Sequence, residues 1–188
     1  MRLLGRAHRL GNDVSTDDII ASKYKSTTTD MREMSKYLME NVDPGFAKRI
    51  APGDLMVGGT NFGCGSSRET APRVIKAAGI SAVLAKGFAR IFFRNSINVG
   101  LPVVECDTTN LDTGDQLEVD LGAGVVRNLT KGTEVKVAPL PPVMLELLND
   151  GGVAEHFQKH GTWFLRLGAK NQTGGARNSL HGASDQSH

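Results

Sequence analysis

Cysteine is scarce: Cys64 and Cys106 are the only two among 188 residues. Two thiols leave little room for a disulfide framework, and a self-contained metal or iron–sulfur cluster needs about four ligands. Any such cluster that works with this chain must be carried by another chain. Long apolar runs are missing as well, and no stretch approaches the roughly 20 residues of a membrane-spanning helix. Charge of one sign is missing too. The formal net charge is +2 and no five like charges follow one another, which argues against nucleic acid or a membrane as partner. The basic segment 1–10 lacks a continuous apolar stretch and a cleavage site, so it reads as a first strand and the protein as cytoplasmic. Of five histidines only His156 and His160 share a helix face, and they read as surface residues rather than metal ligands.

What is present suits one compact α/β domain. The domain is expected over residues 1–167. Residues 168–188 are rich in Gly, Asn, Ser and Gln with few apolar residues, the composition of a disordered tail. A strand over 3–10 leads into a polar loop over 11–18. The segment 23–30 has no periodicity, and Met31, Met34 and Leu38 then recur at helical spacing, with Asp30 as N-cap. From residue 55 the pattern is β–α–β: strands at 55–57, 80–85 and 101–105, and helices ending at Gly79 and Gly100. That spacing implies a mixed, partly parallel sheet. Further on, 116–121 and 133–137 alternate as antiparallel strands around a Gly-rich hairpin region, and 141–149 and 151–160 read as helices.

The segment with the most chemistry runs Asn61, Phe62, Gly63, Cys64, Gly65, Ser66, Ser67, Arg68, Glu69. It lies between a strand and a helix. Helix-start amides attract anions, and Gly63, Cys64 and Gly65 let a ligand approach the main chain. Arg68 supplies a forked donor for carboxylate or phosphate, and Ser66 and Ser67 supply hydroxyls that bind or transfer a proton. The loop lacks the third glycine of a dinucleotide fingerprint and the Gly-x-Ser-x-Gly of a nucleophile elbow. Two starts are open for the following helix: a capping box over 66–69, or a start near Thr70 with Pro72 in the first turn. Either way the serines sit at or just before its positive end, and a small, multiply charged anion is the expected ligand. Asp13, Asp17 and Asp18 are solvated or cap a helix, unless one of them orients Arg68. Cys64 has no histidine near it in sequence to make it a nucleophile.

These residues resemble the small subunits of isopropylmalate isomerase, in the aconitase superfamily. The resemblance is carried by Asp13, Val14, Ser15, Thr16, Asp17, Asp18, Ile19 and Ile20, by the 61–69 loop with Ala71 and Pro72, by 77–80, and by 87–102. It spans roughly residues 1–165. It implies a three-layer β/β/α swivelling domain that closes over a large subunit holding a [4Fe–4S] cluster, with no cofactor on this chain itself. It also implies a hydro-lyase that dehydrates and rehydrates a small di- or tricarboxylate. By motif, Ser66 matches the proton-abstracting serine, Ser67 and Arg68 match substrate-carboxylate binders, and Asp17 matches an acid near the site. Tyr24, Lys25, Ser26 and Thr27 occupy the segment in which related enzymes differ in substrate. Lys25 in place of an arginine favours an alkylmalate, 3-isopropylmalate first and leucine biosynthesis with it, over homoaconitate; dimethylmalate stays open. Against these stand a non-catalytic anion-binding module and a self-sufficient serine hydrolase, the latter disfavoured because Ser66 has no His–Asp partner in view.

Overall fold

The computed structural model describes residues 1–26 and 28–161. The elements follow in chain order as β1 (Arg2–Arg9), α1 (Thr16–Ile19), α2 (Met31–Ser35), α3 (Phe46–Arg49), β2 (Leu55–Val57), α4 (Thr70–Ala77), β3 (Ala82–Ala85), α5 (Arg90–Asn98), β4 (Val103–Glu105), β5 (Gln116–Asp120), β6 (Val125–Asn128), β7 (Thr133–Lys136), α6 (Pro142–Asp150) and α7 (Val153–His160). One seven-stranded sheet has the order β4-β3-β2-β1-β5-β6-β7. Its β1–β4 half is parallel and its β5–β7 half antiparallel, joined where β1 pairs with β2 on one side and β5 on the other. The α/β class and the partly parallel sheet are those expected. The proposed tail over 168–188 lies outside the described residues, and so does Thr27.

Burial explains the strand types. β2 and β3 are buried at every position, as parallel strands covered on both faces must be, and their sequences are correspondingly unbroken apolar runs. β5 shows the in–out alternation of a one-sided strand over its first residues. The meander contains one strand more than the sequence suggested: β6 was read as part of a Gly-rich hairpin region, because Arg127 and Asn128 blur its alternation.

Helix ends depart from expectation where backbone groups find tertiary partners. The helical spacing of Met31, Met34 and Leu38 extends past the helix itself, since α2 stops at Ser35. Met39 takes a φ of 60° and its amide donates to the Ile19 carbonyl at 3.0 Å, with Leu38 and Met39 fully buried. Burial of those two side chains outweighs one more helical turn. α5 begins only at Arg90, because Phe88 pairs with Phe62 as an isolated parallel bridge. α4 begins at Thr70, so the later of its two possible starts is the observed one. A real capping box occurs instead at α1: Ser15 accepts from the Asp18 amide, and the Asp18 carboxylate accepts from the Ser15 amide at 2.8 Å.

Beside the β1–β2 seam His8 Nε2 lies 2.7 Å from Asp54 Oδ2, with both residues buried. Burial pushes the Asp54 carboxyl up, but the Ala51 amide at 2.9 Å, His8 and the Arg6 amide together outweigh it and the net shift is downward. A carboxyl whose folded-state pKa lies below its unfolded value stabilises the fold above the ordinary carboxylate range, and that contribution fades as pH falls through the folded pKa. We expect Asp54→Asn to lower the unfolding free energy at pH 7 by about 2 kcal/mol. In urea titrations the gap to wild type should narrow below about pH 4.

Phe62 is fully buried between Phe88 and Phe92, with ring centroids 5.9 and 5.4 Å away, edge to face. Gly63, next in sequence, has φ 79°, and a Cβ there would stand 2.1 Å from Phe92 Cγ. Gly65 has φ 90°, but a Cβ there would meet Thr16 Oγ1 at an ordinary 3.5 Å. Both positions carry left-handed strain when substituted, about 1–2 kcal/mol, and Gly63 adds overpacking of about 1–3 kcal/mol. Gly63→Ala should therefore lose about twice as much stability as Gly65→Ala in thermal or urea unfolding.

Candidate active site

Ligands in open α/β sheets bind outside the carboxyl ends of the parallel strands, and three loops meet there. The segment after β1 lies alongside the loop after β2. The Asp13 amide donates to Thr60 O at 2.9 Å, the Gly63 amide to Val14 O at 2.7 Å and the Thr16 amide to Cys64 O at 2.8 Å. The loop after β3 closes the other side, with the Phe62 amide on Gly87 O and the Ala89 amide on Phe62 O, both at 2.9 Å. Thr16 Oγ1 donates to the Ser66 carbonyl at 3.0 Å and sets the turn that carries the serines.

The result is a cavity of about 280 Å³ lined by Thr16, Gly63, Gly65, Ser66, Ser67 and Arg68, and by residues 89–92 from the opposite wall. Those four residues are the N-terminal turn of α5, which has no side-chain cap. The positive helix end at the cavity is therefore that of α5 rather than α4, where the sequence placed it. Glu69 N-caps α4 and pairs with Arg73, and the serines precede it as exposed loop. The hydroxyls of Ser66 and Ser67 make no hydrogen bond among the described residues. Arg68 is largely buried and forms a two-pronged pair with Asp17, Nη2 to Oδ2 at 2.9 Å and Nη1 to Oδ1. Ser22 Oγ donates to the same carboxylate at 3.0 Å. The Arg68 guanidinium holds the Asp17 carboxyl below the usual range, with Ser22 adding to it, against the opposing effect of burial. Uncapped amides, a held guanidinium and free hydroxyls on one concave surface suit a small carboxylate ligand.

Of the residues singled out from sequence, Gly63, Gly65, Ser66, Ser67 and Arg68 share the cavity wall, with Asp17 directly behind Arg68. Cys64 lies in the loop but turns its thiol to the Asp13 carbonyl at 3.4 Å. Burial, with the charges of Asp13 and Asp18, raises its pKa, which disfavours the reactive thiolate. Tyr24 points elsewhere: its ring stacks on Tyr37 at 4.1 Å and its hydroxyl donates to Glu40. Lys25 and Ser26 belong to a 3-10 turn over Ser22–Ser26 that is tied to the site through Ser22 and Asp17. Sequence reasoning gave no site role to Thr16, Ser22, Arg90 or Ile91, although Thr16, Arg90 and Ile91 lie in the motifs that carry the resemblance. Arg90 and Ile91 lie in a helix whose relation to the loop only the β3 crossover creates, whereas Thr16 could have been marked by its place between Ser15 and Asp17.

The donor set does not fit an iron–sulfur cluster. Two free thiols are too few, and burial with the Asp107 charge pushes Cys106 up to about 12.

Comparison with known proteins places this geometry. Residues 9–108 match the family model of the aconitase C-terminal domain. The chain is 54% identical to 3-isopropylmalate dehydratase small subunit 2 of Archaeoglobus fulgidus over 86% of this chain and 98% of that one. It is 49% identical to the 3-isopropylmalate dehydratase small subunit of Methanosarcina mazei over 82% and 96%. The crystal structure of 3-isopropylmalate dehydratase from Methanocaldococcus jannaschii superposes with a TM-score of 0.81 at 42% identity, covering 86% of this chain and 96% of that one. The chain belongs to the family of 3-isopropylmalate dehydratase small subunits, built on the aconitase C-terminal domain.

Proposed function

We propose that this chain is the small subunit of a two-chain hydro-lyase that interconverts 3-isopropylmalate and 2-isopropylmalate in leucine biosynthesis. The observation that carries the reading is one cavity holding Ser66, Ser67, an Asp17-held Arg68 and the uncapped turn of α5. Relatives matched nearly end to end are 3-isopropylmalate dehydratase small subunits, which supports this substrate. Homoaconitate carries a third carboxylate. Ile91, half exposed, and Phe92 give the cavity an apolar side that suits an alkyl group better.

In this reading Arg68 and Ser67 bind a substrate carboxylate, and Asp17 keeps the guanidinium fork oriented. Ser66 takes the proton from the carbon next to that carboxylate, and its alkoxide is stabilised by Arg68 and the α5 amides. Loss of hydroxide from the adjacent carbon completes elimination of water, and water returns with the two positions exchanged. A [4Fe–4S] cluster on the large subunit would supply Lewis acidity toward the departing hydroxyl. Lys25, Ser26, Thr27 and Tyr24 form the segment that senses the substrate's side group once the subunits close. The assembly works in the cytoplasm; no helix among the described residues is long and apolar enough to cross a membrane.

The test is turnover of 3-isopropylmalate, homoaconitate and 2,3-dimethylmalate by the chain mixed anaerobically with a cluster-loaded large subunit. Ser66→Ala should lower kcat at least about 10²-fold while leaving the unfolding midpoint unchanged, since its hydroxyl makes no hydrogen bond among the described residues. Full activity in that variant would remove Ser66 from the chemistry. No turnover of any substrate by wild type would favour the binding-module reading. Arg68→Lys keeps the charge but loses the fork, and KM should rise about tenfold, the worth of one charge-assisted hydrogen bond. Asp17→Asn should also raise KM, because the orientation of Arg68 is lost while its charge remains.

A further inference from the structure

The C-terminal helices bring together four side chains that the reaction does not use. Glu146 and Asp150 on α6, and His156 and His160 on α7, each place a potential ligand atom within 4.8 Å of the others. The fourfold spacing puts each pair on one helix face, and Gly151 in the left-handed region folds α7 back against α6. His156 Nδ1 and His160 Nε2 both converge on Oδ2 of Asp150, at 2.7 and 2.8 Å. The expectation that both histidines are surface residues fails for His156, which is 1% exposed.

Hydrogen bonding alone leaves this cluster incomplete. Glu146 is half-buried beside two imidazoles and the Asp150 carboxylate and makes no hydrogen bond or ion pair among the described residues. Two imidazoles aimed at one point with two carboxylates around it form the donor set of a late first-row divalent ion, not of calcium or magnesium.

We propose that Glu146, Asp150, His156 and His160 form a binding site for a divalent cation of the zinc type. The ion takes the position between the two ring nitrogens that Asp150 Oδ2 now occupies, and Asp150 rotates to become a ligand. Lys159 competes for the site: its Nζ lies 2.5 Å from Asp150 Oδ1. It is mostly exposed and can swing into solvent. The site stands at the far end of α5 from the anion cavity. Lys76 Nζ donates to Val99 O and Gly151 O, both at 2.8 Å, tying the α6–α7 turn to the end of α5. Nine helical residues, about 13 Å, separate the two ends. The ion therefore clamps the helical pair that buttresses α5 and takes no part in the reaction.

The experiment is Co²⁺ titration of the full chain carrying His181→Ala and His188→Ala, which removes the histidines outside the described residues. The expected result is one Co²⁺ per chain, with visible ligand-field bands and no thiolate charge-transfer band, displaced by Zn²⁺. Saturating Zn²⁺ should raise the unfolding midpoint. His160→Ala and Glu146→Gln leave the buried His156–Asp150 pair in place, and circular dichroism checks their fold. Each should weaken Co²⁺ binding at least about tenfold, as loss of one ligand or its close support does. Lys159→Met should tighten it. Absence of saturable binding, a thiolate band, or unchanged affinity in His160→Ala and Glu146→Gln would each overturn the proposal.

Discussion

The backbone lacing between the segment after β1 and the loop after β2 is the constraint on which the site depends. β1 and β2 run parallel and adjacent, so both chains leave the sheet at the same end and can pair again beyond it. That pairing carries Asp17, 51 residues away in sequence, to Arg68. It works only because Gly63 allows the main chain to pass against the Phe92 ring. A side chain there would push the loop off α5 and separate the serines from the helix end they face across the cavity.

The electrostatics of the cavity follow from that placement. Ser66 and Ser67 have no hydroxyl partner among the described residues, and the cavity meets α5 where its first turn has no side-chain cap. Arg68 is held by Asp17 from behind, so its direction is set before any ligand arrives. Asp17 is itself tied to Ser22 and thus to the turn that begins the 22–26 segment. The cavity guanidinium and that turn are therefore held by the same carboxylate.

Much of the parallel half was legible because fully buried strands are written as short apolar runs bounded by glycine, and 55–57 and 82–85 are of that kind. The antiparallel half was harder to read. β6 puts Arg127 between Glu118 and Glu134, paired with both at 2.6 and 3.0 Å, and a charged rung of that sort breaks the alternation a sequence reader seeks. α1 was invisible as a helix because it is one turn long; its Ser15–Asp18 cap was seen only as part of an acidic loop. The serines and Arg68 could be found because their chemistry is local to nine residues. Arg90 and Ile91 could not, since nothing near them in sequence marks an anion site.

By itself the sequence determined the α/β class and the family, because each depends on residue types at short, readable spacing. Tertiary structure alone decided which helix end serves the cavity, which acid holds Arg68 and that Tyr24 turns toward Glu40 instead. It also decided that His156 is buried among carboxylates rather than exposed. The physical reason is the same in each case. Those outcomes rest on backbone pairing and burial between segments far apart in the chain, and the energy of such contacts has no signature in local composition.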